Sequence, residues 1–82
     1  MDLRELTKNI ILSIVEDKEI VEVKEFPSDE ENVIQLEVLI SSTDMPKVIG
    51  KNGKVINAIR TLVQASSYLK DNKKVKINID SI

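Results

Sequence analysis

Val48-Ile49-Gly50-Lys51-Asn52-Gly53-Lys54-Val55-Ile56-Asn57-Ala58-Ile59 is the stretch around which the chain is organised. It holds both glycines of an 82-residue protein, three positions apart, with two polar residues between them and apolar runs on either side. Upstream, Asp44 is placed to cap a helix, and Met45-Pro46-Lys47-Val48-Ile49 supplies one or two turns, with Pro46 tolerated in the first. Downstream, Lys54 opens a longer helical pattern. The glycines therefore mark a very short turn between two helices. Glycine takes positive φ and lets another backbone come close. A phosphodiester backbone lying across the turn would require both.

Working outward, residues 3–15 read as an amphipathic helix. Leu3, Leu6, Ile10, Ile11, Ile14 and Val15 fall at the three-and-four spacing of one buried face. Asp2 suits its N-terminal end, and Lys18 lies just past its C-terminal end. Ile20 to Phe26 and Val33 to Ile40 alternate as strands, joined by the acidic turn Pro27-Ser28-Asp29-Glu30-Glu31-Asn32. Those acids would repel a polyanion, so this hairpin turn is not expected to touch phosphate. Lys54 to about Leu69 reads as a helix whose apolar positions cover roughly 180°, wider than the ~100° that one core face needs. The excess is either alanine filler in a crowded core or a subunit contact. After the turn Asp71-Asn72-Lys73, a third strand runs from Lys74 to Asp80. The order helix, strand, strand, helix, helix, strand predicts an α+β fold. Its last strand should return parallel to its partner, giving a three-stranded mixed sheet with helices on one face.

Charge is segregated along the chain. Residues 1–44 sum to −8, whereas residues 45–70 carry Lys47, Lys51, Lys54, Arg60 and Lys70 and no acid, within a net charge of −2. That is a local basic patch on an acidic protein, suited to an anionic ligand at one place. Cysteine and histidine are both absent. Disulfides and thiolate chemistry are excluded, as are the commonest general base and metal ligand. Any catalysis would need a carboxylate pair or a lysine. The acids, however, cluster in the hairpin turn and near helix ends, where solvated charge is the ordinary explanation. The phosphate-cradling pattern GxxxxGK[ST] is missing. The sequence thus predicts one domain over residues 1–82, no enzyme activity, no metal and no cofactor. No apolar run reaches membrane-spanning length, and the charged N-terminus is unlike a signal peptide, so a cytoplasmic location is expected. Phe26 and Tyr68 are the only aromatic residues, which leaves little ring surface for base stacking.

The run Val48-Ile49-Gly50-Lys51-Asn52-Gly53-Lys54-Val55-Ile56, followed by Ile59, resembles the KH-domain signature V-I-G-x-x-G-x-x-I-x-x-I. The element order resembles the type II KH arrangement over the whole chain. Asp44 to Lys51, together with Ala58-Ile59-Arg60-Thr61-Leu62-Val63, is similar to the small bacterial single-KH proteins of the KH-domain protein A family, described as RNA-binding probable RNA chaperones. Pro46 stands where that family would place glycine. The resemblance implies a grip on about four nucleotides of single-stranded RNA by the GxxG loop. It also implies pairing with itself or with a larger KH-containing partner, KH-domain protein B, and a link to cell-wall synthesis and cell shape.

On this reading Gly50 and Gly53 present backbone amides to phosphate beside the positive end of the following helix. Lys51, Lys54 and Lys47 add charge. Ile49 and Val55 are either core or the apolar wall on which bases rest, and Asn52 is either a turn former or an amide contact. Arg60 lies beside the ligand or, on the plainer reading, in solvent. The competing function is a KH scaffold that serves only for protein interaction or dimerisation, without nucleic-acid binding.

Overall fold

Alternating apolar side chains make one strand the axis of the molecule. The computed structural model describes residues 2–82, and Met1 lies outside the described residues. The elements are α1 (Leu3–Leu12), β1 (Glu22–Phe26), β2 (Val33–Ile40), α2 (Met45–Ile49), α3 (Lys54–Lys70) and β3 (Lys74–Ser81). Single 3₁₀ turns at Ser42–Asp44 and Lys51–Gly53 flank α2. β2 lies in the middle of the sheet. β1 pairs antiparallel to it, with Val23 opposite Val38, and β3 pairs parallel, with Ile77 opposite Leu36.

The period of two sends Leu36, Val38, Ile40, Val23 and Ile77 to one face, where they are buried. Ile11 and Val15 from the N-terminal segment, Val48 from α2, and Ile56, Ile59 and Val63 from α3 close over them. The opposite face carries mostly charged and polar side chains, with Val33, Leu39 and Phe26 among them. There Asn78 Nδ2 donates to Glu37 Oε1 at 3.1 Å, and Lys24 pairs with Glu22 at 3.3 Å. The type II KH arrangement expected from the element order is the one observed, a three-stranded mixed sheet with three helices on one face.

Two details differ from the sequence reading. The first helix ends at Leu12 rather than near Val15. The Ser13 hydroxyl bonds back to the Ile10 carbonyl at 2.6 Å, which competes with continued helix, and an irregular turn then delivers Val15 to the core. The buried line of this segment is Leu3, Thr7, Ile11 and Val15, so the polar Thr7 occupies a core position. Its hydroxyl is satisfied by the Leu3 carbonyl at 2.8 Å. The ends of the segment are as expected. Asp2 caps α1 by accepting from the Glu5 amide at 2.7 Å, and Lys18 Nζ donates to the Val15 carbonyl at 2.7 Å.

Asp44 does not cap α2 with its side chain. Ser41 caps the 3₁₀ turn instead, accepting from the Thr43 amide at 3.4 Å. The Asp44 carboxylate is buried and reaches across the chain, accepting from the Glu16 and Asp17 amides at 3.0 Å each. It thereby pins the end of the N-terminal segment to the start of α2. The Glu16 amide first, then that of Asp17, hold this carboxyl below the ordinary carboxylate range, and Lys47 and Lys18 add to the lowering against the opposing effect of burial.

Candidate nucleic-acid interface

The turn between α2 and α3 takes positive φ at three of its four positions: Gly50 (φ 76°, ψ 172°), Asn52 (φ 56°, ψ 28°) and Gly53 (φ 75°, ψ 13°). The two glycines do different work. At Gly50 the ψ value lies in a region open to glycine alone. A Cβ there would also sit 2.8 Å from the Val55 amide nitrogen, so Val55 already covers this α-carbon. At Gly53 a Cβ would meet nothing nearer than Asn57 Nδ2 at 3.6 Å. The open approach therefore lies at Gly53, and Gly50 is the hinge that lets the chain reverse. Asn52 is a left-handed residue, as are Asn32 and Asn72, and asparagine tolerates that conformation better than most side chains. Its first role is conformational.

The amides sort in the same way. Gly50 N–H is spent on the Pro46 carbonyl at 2.9 Å, and Gly53 N–H on the Gly50 carbonyl at 3.2 Å. Lys54 N–H closes on the Lys51 carbonyl. Among the described residues the amides of Lys51 and Asn52 have no hydrogen-bond partner. Thus the bare donors of the turn belong to the two residues between the glycines, not to the glycines. They lie beside the N-terminus of α3, which no side chain caps. Lys51, Asn52 and Lys54 are exposed around them. An anion resting there would meet two free amides, a helix N-terminus and two ammonium groups.

The remaining predicted residues are placed less simply. Ile49 and Val55 are half-buried and pack against the hydrophobic core. Lys47 lies on α2 and is ion-paired with Glu16. The run 45–70 lacks acids in sequence but not in space, because the N-terminal segment brings one back to it. Arg60 is not simply in solvent. Its guanidinium donates to the Ile77 carbonyl on β3 at 3.1 Å. It lines a groove between α3 and the outer edge of β3, together with Thr61, Gln64, Ala65, Tyr68 and Val75. Sequence reasoning did not connect these residues. The available signal was the four-residue spacing of Arg60, Gln64 and Tyr68, which sets them on one helix face.

The wide apolar arc of α3 resolves into two stripes. Ile56, Ile59, Val63 and Ser67 face the core. Ala58, Leu62, Ala65 and Leu69 fall within about 60° of one another on a different side. These four are exposed, Leu62 at 58% and Leu69 at 88%. They are not core filler. Among the described residues no cluster of acids suits a metal ion, and no helix is long and apolar enough to cross a membrane.

A family model described as KhpA/KhpB, KH domain, matches residues 4–79. The RNA-binding protein KhpA of Clostridium perfringens is 43% identical over 77 residues, covering 94% of this chain and 99% of its own. KhpA of Caldanaerobacter subterraneus is 43% identical over 75 residues, covering 92% and 96%. Among solved structures, Era in complex with a nucleotide and a segment of 16S ribosomal RNA superimposes with a TM-score of 0.70 at 19% identity. That match covers 96% of this chain and 29% of the Era chain, and it shows the shared fold.

Proposed function

Because the chain belongs to the KhpA/KhpB KH-domain family, a family of RNA-binding proteins, we propose that it holds single-stranded RNA on the turn between α2 and α3. The observation that carries this reading is the pair of unpartnered amides at Lys51 and Asn52, set beside the uncapped N-terminus of α3. Gly50 and Gly53 shape the turn, and Gly53 leaves room for the sugar-phosphate backbone. Lys51 and Lys54 neutralise phosphates, and Lys47 joins them when it exchanges Glu16 for the ligand. Ile49 and Val55 form the apolar floor beside the turn. A grip of this size covers about four nucleotides. Each phosphate neutralised steepens the salt dependence by about 0.7.

The test is an anisotropy titration with short single-stranded RNA at two salt concentrations, using the wild type and the double variant Lys51→Asp, Asn52→Asp. Both positions are exposed, and aspartate tolerates the left-handed region. The variant should keep its fold and lose at least tenfold in affinity. Equal binding by the variant would remove the turn from the interface.

The exposed stripe Ala58, Leu62, Ala65 and Leu69 favours a second element of the reading. Its spacing of four, three and four is that of a helix seam. We propose that this stripe pairs with a second KH chain, either another copy or a larger KH protein of the KhpB kind. Two weak RNA sites joined in this way gain by avidity, which suits a cytoplasmic RNA chaperone with little base preference. The family relationship extends the proposal to RNA-level control of cell-wall synthesis and cell shape. Leu62→Lys should yield monomers by sedimentation. An unchanged oligomeric state would leave the stripe without this role.

A further inference from the structure

The sheet has two outer edges, and only one of them is closed. At β3 the helix α3 answers the edge. Gln64 accepts from the Val75 amide at 2.9 Å and donates to the Lys73 carbonyl at 3.0 Å, and Arg60 donates to the Ile77 carbonyl at 3.1 Å. At β1 the edge is open, and the ladder shows which groups it offers. Lys74 N–H bonds to the Asn32 carbonyl and Ile82 N–H to that of Ile40, so the even-numbered residues of β2 turn their backbone groups toward β3. The odd-numbered Gln35, Glu37 and Leu39 turn theirs toward β1, where they face Phe26, Lys24 and Glu22. Val23 and Glu25 are left with N–H and C=O pointing away from the sheet, and among the described residues nothing pairs with them. A groove lined by Arg4, Glu5, Lys8 and Val23 runs beside this edge, between α1 and β1. Phe26, at the end of β1, is 45% exposed.

An unpaired edge invites another strand, and charged side chains commonly guard it. Here the charges select a register instead. Consider a second copy whose β1 lies antiparallel to the first about a two-fold axis. Only the odd-numbered residues of each copy can exchange hydrogen bonds, so the axis must pass through a residue position and not between two. An axis at Glu22, Lys24 or Glu25 sets that residue against itself, and like charges directly opposite are unfavourable. An axis beyond Glu22 or Glu25 leaves little of the strand overlapped. An axis at Val23 sets Val23 against Val23 and, on the solvent face, Glu22 of each copy against Lys24 of the other. The same register carries the exposed Phe26 toward the half-buried Ile20 of the second copy. It also places Glu25 on the side of the sheet where Arg4 and Lys8 of the second copy line the groove.

We propose that the β1 edge pairs with the β1 edge of a second copy in this register, joining two three-stranded sheets into one. The occupant is another copy of this chain, because the charges of β1 complement their own reverse. β1 is five residues long, so the pairing is weak and forms at higher protein concentration than contact through the α3 stripe. Edge and stripe lie on different elements. Copies joined through both make an assembly larger than a dimer, in which one long RNA meets several turns at once. The edge pairing itself does not depend on RNA.

The protein has no cysteine, so introduced thiols are unique. Glu22→Cys and Lys24→Cys fall at exposed positions. One variant is 15N-labelled, the two are mixed and oxidised, and mass spectrometry separates the products. The mixed disulfide should exceed either like-with-like disulfide about tenfold, because the register brings only positions 22 and 24 of different copies within disulfide range. Sedimentation of Leu62→Lys removes the stripe from the readout. That protein should pass from monomer to dimer as its concentration rises. Adding Glu22→Lys should weaken this step about tenfold, since symmetry counts each like-charge pair twice, and adding Lys24→Glu as well should restore it. Disulfides in statistical proportion, or a Leu62→Lys protein that is monomeric at every concentration, overturn the proposal and leave the stripe and the RNA turn standing. An excess of a like-with-like disulfide, or no rescue by the charge swap, overturns the register and the proposal with it. A Leu62→Lys protein that stays dimeric and forms the mixed disulfide supports the edge and removes the stripe's role.

Discussion

α3 has a short turn at each end, and the two are built on opposite terms. At the C-terminal end, residues 71–73, polar groups are answered from within. The Asp71 and Asn72 amides bond to the Ser67 carbonyl at 2.8 and 2.9 Å. The Lys73 carbonyl accepts from the Ser67 hydroxyl at 2.7 Å and from Gln64 at 3.0 Å. At the N-terminal end, residues 50–53, the amides of Lys51 and Asn52 are left bare, and no side chain caps the helix. Both turns use a left-handed asparagine, so the same backbone chemistry is available to each. One turn spends its donors on stability, and the other keeps them for a ligand.

The sharpest way to break this contrast is at Gly50. Gly50→Ala forces a side chain into a glycine-only conformation and against Val55, which should cost about 3 kcal/mol or more by urea unfolding. Gly53→Ala meets only the left-handed penalty and should cost about 1–2 kcal/mol. Equal losses at the two glycines would contradict the division of labour proposed for them. At the other turn, Ser67→Ala removes a buried hydroxyl from the Lys73 carbonyl and should lower stability by about 1–2 kcal/mol. RNA affinity should be unchanged, because Ser67 faces the core.

A smaller effect follows from Asp44. Its carboxyl is depressed in the folded protein, so the stability it contributes is fully present above the unfolded value near 3.8. That contribution is lost as pH falls through the lower folded value. Asp44→Asn should therefore lose stability at neutral pH and show a flatter decline in thermal midpoint between pH 5 and pH 2 than the wild type. Identical pH profiles would mean that the clamp on Glu16 and Asp17 carries no stability.

Much of this contrast was legible in the residues. Two lone glycines three apart, a proline early in a short helix, and clean alternation at Val33–Ile40 suffice to place the turn, α2 and the sheet. These are local signals, carried by φ preferences and side-chain period. What escaped is carried by contacts between distant segments. Asp44 looks like a helix cap because its neighbours fit one, yet its partners lie 28 and 27 residues away. Thr7 and Ser67 interrupt the apolar pattern while being fully buried; their acceptors, the Leu3 and Lys73 carbonyls, are local, but the burial itself comes from the packing of distant segments over them. Lys47 reads as a free cation until Glu16 is folded onto it. The two glycines are one motif in sequence and two different jobs in space. The position of Val55 and the ψ values, 172° at Gly50 against 13° at Gly53, separate them.

The bare amides can be observed one by one. In a 15N-labelled sample titrated with single-stranded RNA, the Lys51 and Asn52 amide resonances should show the largest shifts, while those of Asp71 and Asn72 stay in place. A shift map centred elsewhere, with Lys51 and Asn52 unmoved at saturating RNA, would contradict the assignment of this turn as the seat of the phosphate backbone.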